Sequence, residues 1–101
     1  MTTNRKMNSV TAFYEKHRGD PNAIAEYLND ALITNDTAVI AKAIGHMIRA
    51  QGVTEFAQKA RVRRDTLYRM FDGKRSPSLD RVIGVLLALN IQLLAKPART
   101  G

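Results

Sequence analysis

Residues 53–79 read VTEFAQKARVRRDTLYRMFDGKRSPSL, and the fold is decided there. Thr54 is placed to cap a short helix that runs to about Ala60. A turn, Arg61-Val62-Arg63, leads into a second helix from about Arg64 to Phe71, whose inner face is Leu67, Met70 and Phe71. Asp72-Gly73 ends that helix, Lys74-Arg75-Ser76-Pro77 makes a loop, and Ser78 caps the next helix. Two short helices joined by so tight a turn form a helix-turn-helix arrangement.

Working outward, the downstream helix carries Leu79, Val82, Ile83, Leu86 and Leu87, and Asn90 is suited to end it in the left-handed conformation. Ile91–Ala95 is apolar and strand-like, with a helical extension as the alternative. Upstream, Asp36 caps a helix whose face is Ile40, Ala43, Ile44, Met47 and Ile48, closed by Arg49 and Gly52. Gly45 inside that helix costs about 1 kcal/mol in propensity and is expected where a neighbouring helix comes close. Asp20-Pro21 opens a further helix with Ile24, Tyr27, Leu28, Ala31 and Leu32 on one face. The expectation is an all-α, five-helix domain over residues 20–95 with a short strand-like end. Residues 1–19 read as a flexible segment with a docked turn at Thr11–Arg18, and residues 96–101 as a tail.

The chain has 101 residues, 45% of them hydrophobic, which suits one small core. It has no Cys, which excludes disulfide scaffolds, thiolate metal sites and Cys nucleophiles and fits a reducing cytoplasm. The longest apolar run, Val82–Leu89, is far shorter than the ~20 residues of a membrane span. MTTNRKMNSV lacks the apolar stretch of a secretory signal, so the expected location is cytoplasmic. His17 and His46 are the only histidines, and no catalytic or metal-binding spacing is present, so neither an enzyme nor a cofactor is expected. A small basic RNase of similar size would show several strands of period two, whereas helical periodicity runs through this chain.

Sixteen Lys/Arg against nine Asp/Glu give a net charge of +7, and the distribution is uneven. Asp20, Glu26, Asp30 and Asp36 lie in a stretch without a base, while Lys59–Arg81 holds eight bases and three acids. Basic charge around such a helix pair implies duplex DNA, because the second helix can enter a major groove about 12 Å wide. The groups then facing base edges are Arg63, Arg64, Asp65, Thr66, Tyr68 and Arg69. Arg donates two parallel hydrogen bonds to guanine, and Asp accepts from a cytosine amine. Thr54, Lys74, Arg75 and Ser76 have the chemistry to hold phosphates. Against these readings, Tyr68 also suits packing on Arg64, Asp65 suits the helix dipole, and Lys59 and Arg81 read as solvated charges. A two-fold operator needs two recognition helices about 34 Å apart, so a homodimer is expected, with Ile91, Leu93, Leu94 and the last helix as its apolar patch.

The same stretch resembles the Cro/repressor-type, lambda-repressor-like helix-turn-helix of the Xre family. There a Thr opens the first short helix, an Ala packs within it, and G-K-x-x-P-S follows the second; Thr54, Ala57 and Gly73–Ser78 stand in those places. AEYLNDAL (Ala25–Leu32), the helix at Asp36–Gly52, LYRMFDGKRSPSLDRVIGVLLAL (Leu67–Leu89) and the apolar end are similar to the addiction-module antidotes, the HigA-like antitoxins. The resemblance implies a dimeric operator-binding repressor that neutralises a RelE/HigB-like RNase toxin; a stand-alone phage- or plasmid-type regulator is the alternative. Two positions depart from the family. Arg61 stands where Gly is usual, at a cost of about 1 kcal/mol or more for positive φ. Arg63 stands where a capping Ser or Thr is common, and the basic balance is unusual for an antitoxin, leaving the acidic run Asp20–Asp36 to meet a basic toxin.

Overall fold

The computed structural model describes residues 4–98, and among them the chain forms six helices and no strand. These are α1 (Asn4–His17), α2 (Pro21–Leu32), α3 (Thr37–Gln51), α4 (Val53–Ala60), α5 (Arg64–Met70) and α6 (Leu79–Ala88). Three starts follow the capping chemistry of the sequence. Asp20 accepts from the Ala23 amide at 3.2 Å, Asp36 from the Ala38 amide at 3.0 Å, and Ser78 from the Arg81 amide at 3.3 Å.

α3 is the central element, packed against α1, α2, α4 and α5, while α6 lies on α4. Ile44, Met47 and Ile48 supply its bulk, and Ala41, Ala43, Gly45 and Ala50 let neighbours approach from several sides. Ile24, Leu28, Phe56, Leu67, Phe71, Val85, Leu86 and Leu89 complete one aliphatic core. At Gly45 the end of α5 comes close to α3: a Cβ built there would lie 2.7 Å from the Phe71 carbonyl oxygen.

Asn4–His17 forms a helix where the polar sequence implies a flexible segment with a docked turn at Thr11–Arg18; residues 1–3 of that segment, like residues 99–101 of the expected tail, lie outside the described residues. The contact face of α1 is aromatic: Phe13 meets Tyr27 edge-on at 5.2 Å between centroids, and buried His17 lies 5.4 Å from the same ring. The connection to α2 is tied to the end of α3. Arg18 Nε donates to the Ala50 carbonyl at 3.0 Å, and Gln51 accepts from the Gly19 amide at 2.9 Å while donating to the His17 carbonyl at 3.0 Å.

At the other end, Ile91–Ala95 is neither strand nor helix. Asn90 takes φ 65°, and the chain closes α6 with paired bonds from the Asn90 amide to the Leu87 carbonyl (2.9 Å) and from the Ile91 amide to the Leu86 carbonyl (2.8 Å). This is a Schellman closure, whose usual companion is an apolar contact between the residue after the turn and the last helical turn. Ile91 accordingly packs against the core. The inner line of α6 is Val82, Val85, Leu86 and Leu89, which leaves Leu79, Ile83 and Leu87 exposed at i, i+4 and i+8. Of the five apolar residues that the sequence gives this helix, Val82 and Leu86 turn inward, because a ten-residue helix resting on α4 buries only a narrow stripe.

Candidate nucleic-acid interface

α4 and α5 are joined by three residues whose geometry is set by one left-handed position. Arg61 has φ 59° and ψ 44°. Its amide donates to the Gln58 carbonyl at 3.3 Å, and the Val62 amide donates to the Ala57 carbonyl at 3.0 Å, again a Schellman closure. Arg61 thus occupies the conformation usually given to Gly, with its charged side chain in solvent. Arg63 is extended at the start of α5 and makes no side-chain cap.

Thr54 does not cap α4. Gly52, at φ 91°, is both the end of α3 and the residue before Val53, so α4 begins two residues earlier than a Thr54 cap would need. With a single-residue connection there is no extended segment in which Thr54 can bend back. It sits exposed in the first turn, beside the acidic Glu55.

α5 buries Leu67 and turns Arg64, Asp65, Tyr68 and Arg69 to solvent, with Thr66 half-buried. Arg63 Nε and Asp65 Oδ1 are 3.5 Å apart, with side chains 85% and 63% exposed. An ion pair so exposed is worth at most about 1 kcal/mol and opens readily. No other ion pair exists among the described residues, so Arg64, Arg69, Lys74, Arg75 and Arg81 have no carboxylate within 4.0 Å. Tyr68 lies under Arg49 of α3, whose guanidinium carbon is 5.4 Å from the ring centroid. Arg49 therefore joins this surface, and no spacing in the sequence signals it, because the two residues meet only through the packing of α3 on α5.

The loop after α5 is shaped by Asp72, which accepts from the Lys74 amide at 2.8 Å, and by Gly73 at φ 84°. The Lys42 side chain of α3 lies against Gly73, leaving no room for a Cβ. Lys74, Arg75 and Ser76 are exposed beyond this turn. Of the residues assigned to dimer formation, Leu93 and Leu94 are exposed at 40% and 84%, whereas Ile91 is drawn inward. Between α2 and α3, Tyr27 Oη and His46 Nδ1 are 2.8 Å apart. Burial, with Arg49 and then Lys42, pushes the His46 imidazole below its ordinary pKa.

No helix among the described residues is long and apolar enough to cross a membrane, and no group of His, Asp or Glu there is placed to hold a metal ion. A family model described as "probable addiction module antidote protein" matches residues 11–97. A protein of Haemophilus influenzae described only as uncharacterized is 30% identical over 84 residues, 83% of this chain and 87% of its own length. No solved structure matches.

Proposed function

The chain belongs to the family of probable addiction module antidote proteins, and from that premise we propose that it is an antitoxin that also represses transcription by binding a duplex operator in the cytoplasm. The observation that carries the DNA reading is the outer face of α5, where Arg64 and Arg69 are exposed and, among the described residues, have no carboxylate partner, while Leu67 anchors the helix to the core. Such a rod presents its leading end to base edges, and α4 lies across the backbone as in a lambda-repressor-like helix-turn-helix. Arg63, Arg64, Asp65 and Thr66 stand at that leading end. Lys74, Arg75 and Ser76 hold phosphates beyond it, and Thr54 does so from α4.

A two-fold operator calls for two copies. Leu79, Ile83 and Leu87 of α6, continued by Leu93 and Leu94, form the apolar face for a homodimer in this reading. For the toxin partner, taken as a RelE/HigB-like RNase, exposed Glu26, Asp30 and Asp36 offer charge of the opposite sign to a basic surface. The protein works in this account by binding, with no catalytic step and no cofactor.

Fluorescence anisotropy with duplexes from upstream of the gene tests the DNA reading. Arg64→Ala is expected to cost about 1–3 kcal/mol and to relax preference at one base pair. Unchanged affinity and specificity would remove α5 as the reading helix. Co-expression with the product of the adjacent reading frame tests the other half: rescue of growth supports the antitoxin, and operator binding without rescue leaves a stand-alone regulator.

A further inference from the structure

Arg69 of α5, Arg75 of the following loop and Arg81 of α6 come from three different segments, yet they line one open cleft of about 360 Å³. Thr66 and Ser78 bring hydroxyls to the same cleft, and no acidic side chain lines it. Three guanidinium groups in one cleft repel one another, and among the described residues none has a carboxylate within 4.0 Å. Their own fold does little to hold them. Arg81 Nη1 reaches only the Met70 sulfur, at 3.7 Å, and the Arg69 and Arg75 side chains make no hydrogen bond among the described residues. Ser78 also marks the positive end of the ten-residue α6, with its Oγ already accepting from the Arg81 amide, so its hydrogen is free to be donated outward.

We infer that this cleft is a binding site for one phosphodiester of the nucleic-acid backbone, clamped by Arg69, Arg75 and Arg81. The inference rests on the duplex-binding reading and refines it in two ways. Arg81, which by sequence reads as a solvated charge, becomes a phosphate ligand. Arg69, which by sequence reads a base edge, turns to the backbone instead, because it shares its cleft with the α6 arginine on the flank of α5. Guanidinium groups suit this task, since their planar fork matches phosphate oxygens two at a time. The hydroxyls of Thr66 and Ser78 can donate to the same oxygens.

Arg81→Gln and Arg69→Gln test it by anisotropy titration on operator and on unrelated duplexes at several salt concentrations. Both side chains are exposed, so the fold should survive, which far-UV circular dichroism checks. Each variant is expected to weaken every duplex by the same factor, about eightfold at 0.1 M salt, and to lower the log–log salt slope by roughly 0.9, the yield of one lost phosphate contact. Unchanged affinity and slope for Arg81→Gln would overturn the site. Lost preference at a single base pair in Arg69→Gln would return that residue to base readout and overturn the clamp as drawn.

Inorganic phosphate separates this inference from the reading beneath it. Followed by nuclear magnetic resonance, the Nε–Hε signals of Arg69, Arg75 and Arg81 should move more than that of exposed Arg61 in the wild type, and those of Arg69 and Arg75 should not do so in Arg81→Gln. If they move while no duplex binds, the cleft stands as an anion site and the operator reading fails. If duplex binds but these signals move no more than that of Arg61, the operator reading stands and the cleft is refuted.

Discussion

Replacing Gly45 by Ala sets two effects of known sign against each other at one position in α3. In a helix interior Ala is favoured over Gly by about 1 kcal/mol, so propensity alone predicts stabilisation. The added Cβ, however, would lie 2.7 Å from the Phe71 carbonyl oxygen and 3.4 Å from the Phe71 Cβ. Comfortable carbon–oxygen contacts begin at about 3.3–3.6 Å, so the end of α5 has to retreat by roughly 0.6–0.9 Å. The obstacle is backbone, which cannot swing aside as a side chain does, and overpacking of this kind costs about 1–3 kcal/mol. Taking the upper half of that range, the net loss is about 1–2 kcal/mol. Gly84 in α6 supplies the control, because a Cβ there meets nothing within 4 Å. Gly84→Ala should gain the propensity term undiminished, about 1 kcal/mol. In thermal denaturation each kcal/mol moves the midpoint of a domain this size by roughly 4–8 °C, so the two variants should shift in opposite directions. Urea titration with an unchanged m-value would confirm that folded-state stability has moved. Should Gly45→Ala prove as stabilising as Gly84→Ala, the close seating of α5 on α3 is wrong, and with it the outward presentation of the α5 cations.

Arg61→Gly relieves a left-handed conformation that costs a non-glycine residue about 1–2 kcal/mol, offset by the greater unfolded freedom of Gly. Thermal denaturation should show a gain of up to about 1 kcal/mol, and a loss would mean that the turn between α4 and α5 is not the one described. The His46 imidazole titrates below its ordinary value of about 6.5, so as pH falls the unfolded chain takes up that proton first. The stability contributed by neutral His46 is therefore present above about pH 6.5 and is lost as pH falls from there through the folded value. His46→Gln should flatten the midpoint-versus-pH curve on the acid side of about pH 7, and superimposable curves would show that His46 is not buried against Tyr27. Leu87→Glu places a charge in the exposed stripe of α6 and should convert a dimer to a monomer at tens of micromolar in sedimentation velocity without changing helicity. A wild type that is itself monomeric under those conditions would remove the dimer.

Helix N-caps and helical stripes are local, and the sequence shows them directly. Asp20-Pro21, Asp36 and Ser78 each act within three residues of themselves, and the α2 and α3 faces repeat at i, i+3 and i+4. The left-handed turns at Arg61 and Asn90 belong to the same class, since they close a helix through bonds spanning only a few residues. α1 is not legible in the sequence because its face is built from Phe13 and His17, not aliphatics, and becomes a face only once Tyr27 lies opposite. The sequence places the start of α4 too late because Thr54 has the chemistry of a cap, whereas Gly52 serves two helices at once.

The sequence by itself determined the helical class, most helix limits and the basic character of residues 59–81, because each depends on a window no longer than a few turns. Tertiary packing alone decided that Arg49 covers Tyr68, that Gly45 admits the end of α5, that Leu79, Ile83 and Leu87 stay outside, and that Arg69, Arg75 and Arg81 share a cleft. Periodicity says which residues share a side of one helix. Only the close packing of helix on helix fixes which side meets which neighbour, and so which distant charges come together.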